Sequence, residues 1–587
     1  MGTISDKLMR IINTKEDIRQ ALISKGYDVP TSIPFKEYAK MISDLPCRVD
    51  SFPDIEGIVA RYSALGLTNE QMAANPVWVD KTGNGHDLQM KNFAWKEGSG
   101  ISDIYPGALV FDGVDDWAGC DNLPLLPKEK GYSIIALRNW ITRYDATQYK
   151  RPLISNLDTN DEGAFLIEYR KDENVNDVTG SYNSFTGVYI DDNNPITWQT
   201  SSSYNGQIIK KGTSKSTNKL CICKTYFGQL SNYANAAIWE IVILDHDATE
   251  EELTKIKDYF VKTYPWLFPD QAWTVTGKTN EDEDRTTIAN ITGNGNDLVL
   301  SNFGFAEGSG YGLYGENYNG GRWVQSTDRA DLTWTSYSVN ITSVKVASTQ
   351  LYYQSYPEQP SFTVPSYKIK VYGLKDGQTL SYRQVTSEGQ QLYKISEDGT
   401  YTLPSFPFKA NGDWYGFTLD KKQETCDITI EQIPEYEGYL VTDGVDDRVQ
   451  DSSFKLNKDW TLVGEWVFLN QKATNAGITK PFSFVVYNRT TGLSLFINTG
   501  TSGITIENVK SIKAICSDGR IYLDDWSEML ISKDQDITSS TSVLSIGFNG
   551  TAYTQMAFKN LGIYNNQILS KDDCIKAYNY LQTLKAK

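Results

Sequence analysis

Alternation of apolar and polar side chains dominates most of the chain. Runs such as SYSVNITSVKV, YKIKVYGL and CDITIEQI place an apolar residue at every second position. That period predicts half-buried β-strands. The period lengthens to that of a helix in a few places. Ile4, Leu8, Ile11 and Ile12 fall on one helical face, and Thr14 can cap a second helix carrying Ile18, Ala21 and Leu22, with Gly26 as its stop. Pro34 opens a third piece with Phe35, Tyr38, Ala39 and Ile42. Three amphipathic pieces within residues 3–46 rarely hold a core alone. They are expected either to cap the next domain or to dock another protein through Leu8, Ile11, Ile12, Ile18, Leu22, Phe35 and Tyr38.

The same pattern occurs twice. Residues 82–100, TGNGHDLQMKNFAWKEGSG, return as TGNGNDLVLSNFGFAEGSG at 292–310, an offset of 210. DGVDD at 112–116 returns at 443–447, an offset of 331. Each copy then runs into a strand pattern and ends with strand, polar loop and helix. Those ends are IWEIVILDHDATEEELTKIKDYF, with Thr249 and Glu252 as a capping pair, and NLGIYNNQILSKDDCIKAYNYL, with Ser570 and Asp573 in the same roles. The offsets differ by 331 − 210 = 121 residues, so a domain-sized insert interrupts the second copy. Loop-closure entropy grows slowly with length, which makes such an insert tolerable. The expected organisation is a helical segment at 1–50 and a β-sandwich at 51–268. A second sandwich follows from 269–314 and 436–587, around an inserted β domain at 315–435.

Composition narrows the chemistry. The net charge of −17 argues against nucleic acid as partner, since phosphate binding needs clustered Lys and Arg. Fourteen Trp, 36 Tyr and 22 Phe suit strands and surfaces that stack on flat ligands. Seven scattered cysteines form neither a zinc pattern nor a disulfide framework, and Cys221 and Cys223 are expected to alternate onto one strand face. No apolar run is long enough to span a bilayer and the N-terminus lacks a signal-peptide core. The expectation is a chain made in a reducing cytoplasm.

Catalytic constellations are scarce. The chain holds two histidines, His86 and His246, which align with Asn296 and Asn566 of the other copy. Glu162, Glu168 and Glu240 stand apart, with no tight run of alternating carboxylates, so no enzyme is expected. Asp112, Asp115, Asp116, Asp443, Asp446 and Asp447 offer carboxylates to a calcium ion, the one cofactor the residues suggest. The stronger reading of the same spacing is a turn whose Asp side chains hold backbone N–H groups, since calcium needs six or more oxygens and only three carboxylates are local. Gly83, Gly85, Gly293 and Gly295 suit tight turns, and Phe93, Trp95, Phe303 and Phe305 are expected to face a core. Trp117 aligns with Arg448, so the core does not require it, and it could stack on a sugar ring.

The turn Asp80–Asp87 followed by Phe111-Asp112-Gly113-Val114-Asp115-Asp116-Trp117 resembles the concanavalin A-like lectin and laminin-G superfamily. The second copy keeps 292–297 and 443–447. The resemblance implies tandem jelly-roll sandwiches and says little of function. Residues 1–46 resemble an N-terminal element of structural proteins of tailed phages, the crAss-like group among them. Together the two resemblances imply a virion appendage, a head or tail fibre, docked by residues 1–46 to other virion proteins. It would be a homo-oligomer displaying its sandwiches to host-surface or mucosal glycans. A decoration protein without sugar binding and a polysaccharide-degrading appendage are the alternatives.

Overall fold

The computed structural model describes residues 52–126, 132–142, 150–158, 165–170, 185–186, 196–200, 217–228, 232–306, 308–326, 328–354, 361–375, 377–386, 389–409, 413–451, 457–470, 473–474, 478–479, 482–488, 494–498, 511–530, 542–547, 553 and 555–586, with Lys15 and Arg19. The expected docking face of Leu8, Ile11, Ile12, Ile18, Leu22, Phe35 and Tyr38 lies outside the described residues, as do Cys47 and Glu162.

The chain is mainly β. Strand Asn235–Leu244 is the spine of one sheet, pairing with Ile58–Ser63 and Leu109–Asp112 on one edge and with Ser133–Trp140 on the other. A seven-stranded sheet, from Val77–Trp78 to Phe185–Thr186, faces it. Side chains alternating inward from both sheets, among them Tyr62, Trp78, Leu109, Phe111, Ile154, Ile222 and Ile241, form one core. Strand Gln555–Asn565 repeats the spine role, pairing with Gln271–Thr274, Glu435–Val441 and Trp460–Asn470. Opposite it runs a six-stranded sheet, and Trp273, Leu298, Val449, Trp466 and Phe558 lie in the core between the two.

Between Gly310–Leu313 and Glu435–Val441 the chain builds two further five-stranded sheets. One is centred on Trp414–Leu419 and the other on Ile428–Ile433. Their shared core is rich in rings, with Tyr318, Trp323, Tyr353, Tyr382, Tyr415 and Phe417 all buried.

Three α-helices, α1 (Asn69–Ala74), α2 (Glu250–Thr263) and α3 (Lys571–Gln582), are given by the described residues between 52 and 586. Thr68 and Gln71 close a capping box on α1, a short helix that the sequence pattern did not reveal. Thr249 and Glu252 close the expected box on α2. On α3 the role differs: Asp573 accepts the Ser570 hydroxyl at 2.7 Å, while Ser570 Oγ accepts the Asp573 N–H at 3.1 Å. Asp is one methylene shorter than Glu, which limits its reach back to the cap. Helices α2 and α3 lie against the outer faces of both spine sheets. Trp239, Phe260, Trp266, Val463, Tyr564 and Leu581 share one apolar layer there.

One expectation on the cysteines fails. The strand ends at Ile222, and Cys223 adopts a left-handed φ of 57°. That turn brings Cys223 into the first core beside Ile222, whereas Cys221 is buried outside it. The four turn glycines, Gly83, Gly85, Gly293 and Gly295, all have positive φ, and Phe93, Trp95, Phe303 and Phe305 pack against their cores.

Candidate functional site

The aspartate turns are built alike in both copies. Asp112 Oδ1 accepts the N–H groups of Val114, Asp115 and Asp116 at 2.7, 3.2 and 3.3 Å, and Asp116 Oδ2 accepts that of Asp112 at 3.1 Å. In the second copy Asp443 accepts from Val445 and Asp446, and Asp447 accepts from Asp443 at 2.7 Å. Burial pushes the Asp116 carboxyl up to about 6 and that of Asp447 up to about 7, with Ser99 and Ser309 partly offsetting it. Each trio keeps carboxylate oxygens within 4.8 Å of one another, so these residues could hold a cation. Three carboxylates fall short of the six or more oxygens calcium takes, and much of their capacity is committed to backbone donors. A turn-forming role accounts for every bond described.

Trp117 is half-buried beside the first of these turns. Lys224 Nζ sits 4.1 Å from its ring centroid, and Phe227 meets it edge-on at 5.7 Å. These contacts occupy one face and an edge of the ring. Its counterpart Arg448 donates to the Tyr553 hydroxyl at 2.6 and 3.1 Å.

The His86 backbone carbonyl accepts the Tyr62 hydroxyl, a bond that does not use its imidazole, whereas the His246 side chain bridges Asp245 and the capping residue Glu252. Those carboxylates hold the His246 imidazole above its ordinary value even though burial opposes it. Glu240 is wholly buried against Arg61 and the hydroxyls of Ser63, Tyr259 and Tyr264.

A larger feature lies where the chain leaves the second sandwich for the inserted sheets and returns. Leu313 pairs with Glu435 there, across a bulge after Tyr311. A Cβ on Gly315 would stand 2.8 Å from the Tyr367 side chain, so glycine lets the outgoing strand lie against that ring. The junction opens a cleft of about 1150 Å³, lined by Tyr314, Tyr353, Phe362, Tyr367 and Tyr436 together with Glu316, Asn317, Arg322, Lys368, Glu435 and Glu437.

Its floor is rigidly held. Glu316 accepts the Tyr415 hydroxyl at 2.6 Å and the Trp323 indole N–H at 3.3 Å. The Gln432 side chain accepts the Glu316 N–H and donates to its carbonyl, at 3.1 and 2.8 Å. Tyr353 stacks on Tyr415 at 5.0 Å, and its hydroxyl receives Arg322. Tyr314 stacks on Tyr337 at 5.2 Å. Aromatic walls with a few fixed polar groups are what a site for an amphipathic ligand needs. Sequence reasoning missed this cleft, because its walls come from segments far apart in the chain, around Glu316, Tyr353, Tyr367, Thr402 and Glu435. The density of Tyr around the insert boundary was the available signal.

These features define a class: a chain of β-sandwich modules with an aromatic cleft at the junction of an insert. No family model matches the chain, and no curated protein matches it either. Among solved structures it is similar to the N-terminal CBM22-1–CBM22-2 tandem domain of Paenibacillus barcinonensis Xyn10C. Identity there is 9%, covering 44% of this chain and 99% of that one, with a TM-score of 0.15. The Trypanosoma rangeli sialidase in complex with sialic acid is similar at 10% identity, over 50% of this chain and 68% of that one, with a TM-score of 0.18. A triple jelly roll protein of an archaeal virus turret is similar at 10% identity, over 88% and 99%, with a TM-score of 0.13. At these scores the three share with this chain no more than a β-rich construction.

Proposed function

We propose that the chain is a non-enzymatic adhesive appendage of a tailed-phage virion, holding host-surface or mucosal glycans. The junction cleft carries the glycan half of this reading. Sugars present apolar faces ringed by hydroxyls, and the cleft offers rings beside Asn317, Arg322, Lys368 and carboxylates. Its one deeply buried carboxylate, Glu316, is bound by Tyr415 and Trp323, an arrangement that suits positioning rather than proton transfer. The virion half rests on residues 1–46 and their likeness to phage structural proteins. Weak single sites gain avidity when many copies are displayed on one particle.

Two measurements test this. The full-length protein is applied to a glycan array, with Tyr436→Ala as the cleft variant. Binding that the variant weakens is expected; a wild-type chain that binds no glycan defeats the adhesive reading and leaves a decoration protein. Purified particles are probed with antibody against the chain, and its absence from them defeats the virion reading.

A further inference from the structure

The cleft does not end at its lip. Tyr436, which lines it, meets Tyr439 edge-on at 6.1 Å, and Lys559 Nζ lies 5.5 Å from the Tyr439 ring centroid. Glu465, in a bulge of the next strand, accepts from the Gln582 side chain of α3 at 3.4 Å. Burial raises the hydroxyl pKa of Tyr439 and Tyr578, and the Glu465 carboxylate near both adds to it. Lys513 then lies 4.6 Å from the Tyr578 ring and 5.4 Å from that of Trp526, and these two rings meet edge-on at 5.6 Å. These side chains are half-buried. The row crosses the outer face of the spine sheet from Glu435–Val441 to the turn before Glu528–Leu530. At about 4.8 Å between strands it spans about 20 Å.

The first sandwich shows that the fold does not require this row. By the pairing of the two spines Lys559 stands where Trp239 stands, and Trp239 is fully buried against Tyr580 of α3. An uncovered face needs polar residues, and Lys, Glu and Ser would suffice. Trp526 and Tyr578 also pack against the apolar layer around α3, but Tyr436 and Tyr439 belong to no core and carry the row from the mouth of the cleft to them, although partly exposed aromatic surface is costly.

We infer that the cleft and this row form one continuous track for an extended, uncharged polysaccharide rather than a pocket for a terminal sugar. The inference rests on the glycan reading above. Charge selects the class: Glu316, Glu435, Glu437 and Glu465, with the exposed Asp524, Asp525 and Glu528 beside Trp526, outnumber Arg322, Lys368, Lys513 and Lys559 along the path. A net acidic field disfavours an anionic polymer.

The test is calorimetric titration of the full chain with xylo-, cello- and manno-oligosaccharides from disaccharide to octasaccharide, and with polysialic acid and hyaluronate. Affinity for at least one neutral series is expected to rise about tenfold or more with length, as rings along the row engage. Tyr439→Ala with Trp526→Ala removes that rise and leaves the disaccharide affinity; Tyr436→Ala weakens every length. Equal affinity for disaccharide and octasaccharide overturns the track. Binding of the anionic polymers alone overturns it while sparing the glycan reading. Binding of no sugar overturns both.

Discussion

Replacing Glu240 by Asn tests the energetics of the first sandwich most sharply. Arg61 Nε and Nη2 donate to Glu240 at 3.0 and 3.2 Å, with side-chain exposures of 5% and 0%. The guanidinium also lies 4.1 Å from the Phe52 ring and donates to Tyr259 at 2.8 Å. Burial raises the Glu240 pKa even though Arg61 lowers it, so desolvation outweighs the attraction. Removing one partner leaves a buried, uncompensated guanidinium at a cost of about 3–5 kcal/mol. The second copy holds the natural control: by strand pairing Ala272 and Asn560 occupy the places of Arg61 and Glu240. Arg61→Ala with Glu240→Asn should therefore recover at least half of the single-variant loss, although truncating Arg61 also sacrifices packing. Hydrogen exchange along strand Asn235–Leu244 reports the first sandwich separately, where whole-chain melting would mix several transitions. A loss below about 1 kcal/mol for Glu240→Asn, or additivity in the double variant, would refute the charge-burial argument.

Other expectations follow from the turns. Asp116 and Asp447 have folded pKa values above the ordinary 3.8, so the folded state binds more protons between pH 4 and 7. Their contribution to stability is full at low pH and is lost as pH rises through about 6 to 7. Glu240 and His246 act in the same sense, so the informative quantity is the difference made by Asp116→Asn with Asp447→Asn. Each unit of raised pKa corresponds to about 1.4 kcal/mol, so that pair should gain at least about 2 kcal/mol at pH 8 and flatten the acid-side rise, read by denaturant titration at several pH values. Gly113→Ala should cost about 2–4 kcal/mol, because φ is 76° and the new Cβ would meet Asn235 Cβ at 2.8 Å. Gly83→Ala has open space and should lose only about 1 kcal/mol. Millimolar calcium or chelator should leave hydrogen exchange at residues 112–116 and 443–447 unchanged; calcium-dependent protection there would make the aspartate turns metal sites.

Local rules were legible in the sequence because they act over a few residues. Alternation foretold the mainly β fold, and the TGNG glycines foretold positive φ at fixed places. Thr249 with Glu252 foretold a capped helix. Asp573 shows the limit of the same rule, since one missing methylene changed its partner. Cys223 shows another: a single left-handed residue at a strand end reverses the face that alternation assigns. The cleft and the aromatic row were out of reach for a different reason. They depend on which strands become neighbours, and Tyr436, Tyr439, Trp526 and Tyr578 meet across strands and a helix with no shared period. Trp117 looked available because its copy-two counterpart is Arg448, and only the fold brings Lys224 and Phe227 onto its ring.

The apolar layer around α3 has a bearing on how the chain is made. Trp239 in the first spine is covered by Tyr580, and Asp103 accepts a hydrogen bond from Asn579 of the same helix. A ribosome therefore releases the first sandwich with α2 in place but the part of that outer face under α3 uncovered, and must complete the inserted sheets and the second sandwich before α3 emerges. At about 5–20 residues per second the interval lasts tens of seconds, during which the uncovered face is a target for chaperones or for neighbouring nascent chains.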